Sequence, residues 1–253
     1  MANFYKIVLL LITLSVFNTY ASARNTPDDT LKPVFLKHNY YTAGSFNGAI
    51  FSTATMQRPG YDDRLGVLRF TLFVNLGITF HYDPNNHWGL FTGVDIKNIG
   101  FIEKTNTYDS TVKRRTYNVG VPLGFKFGNM AHKQFFFAGV GLDMPINYKE
   151  KGFINRNNKQ KFNEWFSTRT PTFMPYAFVG LSVKRGLSLK LQYYFNNFLN
   201  PGFKVTQNGV TTTPYAGYNV HLILLSVGHT FHYREHNPSP KTFHAEETKI
   251  ASR

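Results

Sequence analysis

From Leu68 to Tyr82 every even position is apolar or aromatic, while the odd positions, Arg69, Thr71, Phe73, Asn75, Gly77, Thr79 and His81, are mostly polar or glycine. A period of two belongs to a strand, whose side chains point alternately to opposite faces, and not to a helix. The run exceeds the roughly 5 to 6 residues of an ordinary globular strand and meets the 9 to 11 that cross a bilayer at a tilt. One face suits lipid; the other suits water or a packed polar interior.

The first residues show where such a strand is delivered. Lys6 supplies a positive start, Ile7 to Phe17 form a short apolar core, and Ala21-Ser22-Ala23 is an A-x-A signal before Arg24. This reads as a secretory signal peptide over residues 1–23, cut between Ala23 and Arg24. An uncleaved anchor is the alternative, but the apolar run falls short of the ~20 residues of a spanning helix.

Composition agrees with a lipid neighbour. The 253 residues include 25 Phe and 15 Tyr, and only 17% are charged, below the ~25% of ordinary soluble domains. With no Cys, neither a disulfide scaffold nor a lipoprotein anchor is available. No Asn stands in an acceptor sequon, since Asn237 is followed by Pro, and a Gram-negative envelope is the favoured setting.

Eight segments have strand character: 42–56, 67–82, 88–101, 115–127, 134–148, 173–183, 187–198 and 218–233. Their connections alternate. Those at 83–87, 128–133 and 184–186 are short, whereas the others are longer and polar, the largest being 149–172 and 199–217. That rhythm, with an even strand number, predicts an all-β fold: an eight-stranded antiparallel up-and-down transmembrane β-barrel with short periplasmic turns and longer extracellular loops. Both termini then lie in the periplasm. The organisation is a signal peptide (1–23), an N-terminal periplasmic segment (24–41), the barrel (42–233) and a disordered periplasmic tail (234–253) with Pro238 and Pro240.

In the fourth segment Tyr117, Val119, Val121, Leu123, Phe125 and Phe127 share one face and Asn118, Gly120, Pro122, Gly124 and Lys126 the other. In the sixth connection a three-residue turn with left-handed Gly186 keeps Val183 and Leu187 on the same face. The run Leu222-Ile223-Leu224-Leu225 breaks alternation and predicts a bulge in the last strand. Aromatics gather at strand ends: Phe80, Tyr82, Trp88, Phe125, Phe127 and Phe136 at the periplasmic level, and Tyr117, Tyr148, Phe173 and Tyr193 at the opposite rim.

Eight strands enclose a space that side chains fill. The predicted lumen holds Arg69, Lys97, Lys126 and Lys190 against Asp95 and Asp143, with Asn75, Asn118, Tyr176, Gln192 and Tyr194 between them. A structural polar plug of paired groups is the favoured reading over a transport or binding site. Net charge is +14, and the largest loop contributes Lys149, Lys151, Arg156, Lys159, Lys161 and Arg169 against Glu150 and Glu164. Solvated charge is the plain account of that loop; lipopolysaccharide phosphates or an acidic partner are the alternative. Lipid-facing strands and a signal peptide argue against nucleic acid.

The segment from Thr116 to Gly128 resembles the aromatic-x-x-x-Pro-Leu-x-x-Lys-aromatic strand of outer-membrane β-barrel proteins of the Bacteroidota, the PorT-like or porin-family barrels. Gly89 to Val94 is similar to their third strand and Phe137 to Leu142 to their fifth, and the likeness covers residues 42–233. It carries no catalytic residues. The resemblance implies that a local bulge accommodates Pro122 and that protein secretion is one role for such a barrel. One departure is plain: those chains commonly end on the aromatic of the final strand, and here Arg234 to Arg253 continues.

There is no G-x-S-x-G elbow, H-E-x-x-H, P-loop or zinc-type cluster. His81, His87, His132, His229 and His232 fall mainly at the periplasmic level, away from an outer-rim catalytic site. The sequence therefore predicts a non-enzymatic envelope structural or accessory barrel without cofactor or metal. Its expected partners are outer-membrane lipid and lipopolysaccharide, together with envelope or secretion proteins. A small-solute channel, a lipid-modifying barrel enzyme and a soluble lipocalin-like barrel are the alternatives.

Overall fold

The computed structural model describes residues 40–58, 60–71, 75–105, 110–154, 158–183 and 186–235. The signal peptide with its Ala23–Arg24 junction, the rest of the N-terminal segment to residue 39, Val74, Arg156 and the tail beyond Glu235 lie outside the described residues.

The described residues form thirteen strands: β1 (Tyr40–Arg58), β2 (Tyr61–Leu65), β3 (Arg69–Thr71), β4 (Asn75–Tyr82), β5 (Trp88–Thr105), β6 (Ser110–Asn129), β7 (Gln134–Ile154), β8 (Asn158–Trp165), β9 (Met174–Val183), β10 (Leu187–Tyr194), β11 (Val205–Gln207), β12 (Val210–Thr212) and β13 (Asn219–Glu235). Apart from β11 and β12, which pair only with each other, the strands join antiparallel in one sheet, and β13 pairs with β1, so that sheet closes into an eight-staved ring. Segments β2, β3 and β4 make one stave beside β1. Segments β8 and β9 make another beside β7. Closure pairs the barrel staves all round, while β2 and β8 pair on one side only, with β1 and β7.

The two ends differ. At the turn end the connections at 83–87, 130–133 and 184–186 are short, and β1 begins and β13 ends there. Val183 pairs with Leu187 across a three-residue turn in which Gly186 has φ 80°; the left-handed conformation suits glycine. At the ribbon end the ladders run on. β5 pairs with β6 as far as Thr105 and Ser110, and β7 with β8 as far as Ile154 and Asn158. The segment from Lys149 to Trp165 is thus a β ribbon where a loop is expected from polarity alone. The connection at 195–218 also contains a hairpin, β11–β12, whose turn is Asn208-Gly209 with φ 52° and 79°, the conformation that the Asn-Gly pair favours.

Alternation decides the faces. In β6 the residues Val121, Leu123, Phe125 and Phe127 are exposed outward and Gly120, Pro122, Gly124 and Lys126 are buried inward. Pro122 sits in unbroken register with β7, and the recorded pairs with β5 skip it, resuming at Leu123 and Gly120. No bulge accompanies it, contrary to the expectation, because the ladder to β5 simply lacks its donor. Leu222 to Leu225 also pair with β1 in unbroken register. The expected bulge there is absent: Leu222 and Leu224 pack inside while Leu225 points out, since both faces are apolar at this level. The irregularities of that ladder lie at Ala43/Gly44 and Phe46/Ala49. A further shift falls between Tyr117 and Asn118 opposite Asn147 and Pro145, leaving Ile146 as an extra residue of β7. This bulge turns Tyr148 inward, 1% exposed, so it does not join the outward aromatic rim expected of it.

Outward apolar residues girdle the wall: Leu76, Ile78, Val94, Leu123, Val140, Val179, Leu189, Leu191 and Val227 are all exposed. At the turn end Tyr40 stacks on Tyr82 at 4.6 Å and Trp88 on Phe125 at 6.0 Å.

Candidate functional site

The interior is built in three levels. Nearest the ribbon end it is largely apolar, with Ile99, Phe101, Tyr148, Met174, Leu222 and Leu224 packed under Phe198 and Leu199 from the 195–218 connection and the buried Arg114 guanidinium 5.9 Å from the Phe101 ring. Phe101 meets Phe198 edge-on at 5.4 Å, and Phe198 N–H donates to the Val220 carbonyl at 2.8 Å. The connection therefore closes the barrel mouth as part of the core.

Midway down lies a buried ionic cluster. Lys97 Nζ stands 2.9 Å from Asp143 Oδ1 and 3.3 Å from Asp95 Oδ1, and 4.2 Å above the ring of Tyr176. Asp143 Oδ2 accepts from Tyr194 Oη at 2.5 Å and from Asn118 Nδ2 at 3.3 Å, and Gln192 Nε2 donates to Tyr194 Oη at 2.7 Å. Five strands contribute: β5, β6, β7, β9 and β10. The small positions Gly120 and Gly141 make the room, because a Cβ at Gly120 would run into Asp95 and Asp143 and one at Gly141 into Tyr176. Lys190 and Asp95 line a cavity of about 90 Å³ on the turn side of this cluster, walled by Phe91, Phe137 and Phe178.

A second cluster closes the turn end. Lys126 Nζ contacts Asp83 Oδ1 at 2.5 Å and donates to Tyr41 Oη at 2.9 Å, whose hydroxyl donates to Asp83 Oδ2 at 2.9 Å. Lys126 Nζ is also 3.0 Å from His81 Nδ1. An ammonium only donates, so His81 is neutral with its proton on Nε2, which donates to Thr79 Oγ1 at 2.8 Å; Thr79 in turn donates to the Ala43 carbonyl.

The sequence-derived lumen set thus divides. Asp95, Lys97 and Asp143 come together, Lys190 lines the adjoining cavity, and Lys126 belongs to the separate turn-end cluster. Arg69 is buried but joins neither: its guanidinium donates to Asn98 Oδ1, beyond the β4–β5 ladder, where among the described residues a single bridge, Val67 to Ile102, links that part of the stave to β5. Asp83 and Tyr41, the partners of Lys126, were not legible as such, because they lie in a turn and at a strand start.

The basic segment divides as well. Lys149 and Lys151 lie on β7, and Lys159 and Lys161 on β8. Arg169 is not a solvated charge: it is held between Phe162 at 4.2 Å and Phe203 at 4.5 Å, donates to Tyr215 Oη at 3.1 Å, and pairs with Glu164 at 3.6 Å. Within the ribbons Arg114 bonds Glu103, which Arg58 also approaches at 3.6 Å, and reaches Glu150 at 3.4 Å. Burial opposes the charge of Arg114, but Glu150 and Glu103 outweigh it and hold the guanidinium above its ordinary pKa. Outside the wall, a cleft of about 560 Å³ runs between Phe166–Thr172 and Phe195–Pro201, beside Met144 and Pro145. Among the described residues no three metal-ligating side chains converge.

No family model matches the chain, and no curated protein matches it. Among solved structures it is similar to Ail, the attachment invasion locus protein of Yersinia pestis, at 12% identity and a TM-score of 0.36, over 76% of this chain and 99% of that one. Neisserial surface protein A gives 14% and 0.36 over 76% and 96%. CarO of Acinetobacter baumannii gives 12% and 0.34 over 73% and 97%.

Proposed function

We propose that the protein is a non-enzymatic outer-membrane barrel, a structural or accessory component of the envelope, which spans the lipid without conducting and presents its ribbon end to the outside. The observation that carries the reading is the pairing of an outward apolar band with a lumen blocked by packed side chains at three levels. A soluble barrel of lipocalin type has the reverse arrangement, with polar residues outside. A channel needs a continuous polar path, and here Tyr148, Phe101, Leu222 and Leu224 occupy one level and the Lys97–Asp143–Tyr194 cluster the next. Of the histidines, His81, His87, His132 and His229 lie toward the turn end, remote from the outer rim where acyl transfer meets lipid, and His221, which is at that rim, stacks on Tyr193 at 6.0 Å with its Nδ1 3.3 Å from the Tyr194 carbonyl. Asp143, Lys97 and Lys126 have structural roles in this reading.

The experiment is fractionation of the envelope followed by planar-bilayer recording on the purified protein. The chain is expected with the outer membrane and is expected to give no discrete current steps; regular steps would assign it to the channels. Orientation is read separately: an epitope beside Lys161 is reached by antibody on intact cells and one beside Gly186 is not. The finer role, an accessory of protein secretion, is supported by the PorT-like resemblance of residues 116–128. Deleting the chain then leaves secreted proteins in the periplasm, and undisturbed secretion speaks against it.

A further inference from the structure

Beside the lipid-facing band, at the ribbon end, β6, β7 and β8 turn a ladder of cations outward. Along β6 the outward positions run Val121, Val119, Tyr117, Arg115, Lys113, so the wall changes from apolar to cationic in one step past Tyr117. Arg115 lies directly opposite Lys149 of β7, and Lys113 opposite Lys151, which in turn lies opposite Lys161 of β8. Lys149 Nζ is 5.1 Å from the ring of outward Tyr117, which fixes the side of the sheet. Like charges directly opposite on one sheet face repel each other. On the inner side Glu103 of β5 and Glu150 of β7 pair with Arg114, and Glu164 of β8 pairs with Arg169.

On β9, β10 and β13 the wall at this level is different. The outward residues nearest the rim on β9, β10 and β13 are Pro175, Tyr193, Asn219 and His221, with Phe173 and Phe195 flanking β9 and β10. None is lysine or arginine. Depth is also specific. Two strand positions span about 7 Å, and headgroups extend roughly 5 to 8 Å beyond the hydrocarbon on each side. With Tyr117 and the exposed Trp165, aligned through Asn147, at the interface, Arg115 and Lys149 reach headgroup depth.

We propose that Arg115, Lys149, Lys113, Lys151 and Lys161 form a binding site for the phosphates of lipid headgroups in the leaflet around the ribbon end. The inference rests on the membrane-spanning reading above. It commits to lipid-borne rather than soluble phosphate because the ladder continues directly from the lipid-facing wall.

Trp165 reports on the site, since the chain has two tryptophans and Trp88 lies at the turn end. In a Trp88→Phe background in uncharged maltoside micelles, bisphosphorylated lipid A is titrated against dephosphorylated lipid A and against inorganic pyrophosphate, following Trp165 emission. The phosphorylated lipid is expected to bind on the order of tenfold or more tightly than the dephosphorylated one, and R115Q/K149Q/K161Q is expected to abolish the difference. Equal binding of the two lipids, or a preference that survives the triple neutralisation, overturns the site. Pyrophosphate binding as tightly as the lipid overturns its assignment to headgroups. Insertion into phosphatidylcholine vesicles, read by heat-shifted gel mobility, is scored for parent and triple variant alike. A chain that inserts without discriminating overturns this inference alone; one that does not insert overturns the membrane reading with it.

Discussion

Inside the barrel wall most charges are set against an opposite charge, whereas on its outer face above the lipid band cation faces cation. Lys97 meets Asp95 and Asp143, Lys126 meets Asp83, and Arg114 meets Glu103 and Glu150. On the other face of the same strands Arg115 opposes Lys149 and Lys113 opposes Lys151. Buried charge requires pairing, because taking an ion out of water costs several kcal/mol unless hydrogen bonds and a counter-ion offset it. Exposed charge has no such requirement. The interior set therefore answers to folding and the exterior set to what surrounds the protein, and their substitutions should differ in kind.

The largest expected effect is at the centre of the interior set. Asp143→Ala leaves Lys97 with Asp95 alone and removes the acceptor of Tyr194 and Asn118, so urea unfolding in lipid vesicles should show a loss of about 3 to 5 kcal/mol. The paired replacement Lys97→Met with Asp143→Leu should recover much of it. A harmless Asp143→Ala would erase the distinction between the two sets.

Next is the lipid face. Leu123→Arg or Leu191→Arg, both at outward and exposed positions, should cost about 2 to 4 kcal/mol near the bilayer midplane. Gln192→Ser, inside, loses a neutral hydrogen bond and should cost roughly 1 kcal/mol. A loss between these two follows from volume alone. Gly120→Ala puts a methyl group against the carboxylates of Asp95 and Asp143 and should cost about 1 to 3 kcal/mol in the same assay.

The ladder gives the smallest change and the opposite sign. Lys113→Glu places opposite charges across from Lys151 and should stabilise the barrel by about 0.2 to 1 kcal/mol in the absence of phosphorylated lipid. Destabilisation would mean that the outer cations also serve the fold.

Where one face of a strand is apolar and the other polar, the fold was legible. In β6, β9 and β10 lipid demands one kind of residue and the lumen another, so alternation alone assigns Leu123, Val179 and Leu191 outward and Asn118, Tyr176 and Gln192 inward. Near the ribbon end the lumen itself becomes apolar. Ile99, Phe101, Leu222 and Leu224 face in while apolar neighbours face out, and the period disappears where the strand does not. The ribbons were concealed for another reason: their alternation is cationic rather than hydrophobic. Lys113 and Arg115, Lys149 and Lys151, and Lys159 and Lys161 are each spaced by two, which is a strand period once charge is admitted as a signal. Asn208-Gly209 was a further readable turn. By contrast, the Lys126–Asp83–Tyr41 cluster and the stacking of Arg169 between Phe162 and Phe203 join residues far apart in the chain. No local pattern announces them.

The central claim is that the wall faces lipid and the lumen is filled, and a spin-label scan along β6 from Val119 to Phe127 tests it most directly. The chain has no cysteine, so single cysteines there carry the label without background. In membranes, odd positions should relax with oxygen and even positions with neither oxygen nor a water-soluble nickel chelate, giving a period of two. Odd positions open to the nickel chelate would contradict a lipid-facing wall, and even positions open to it would contradict a filled lumen.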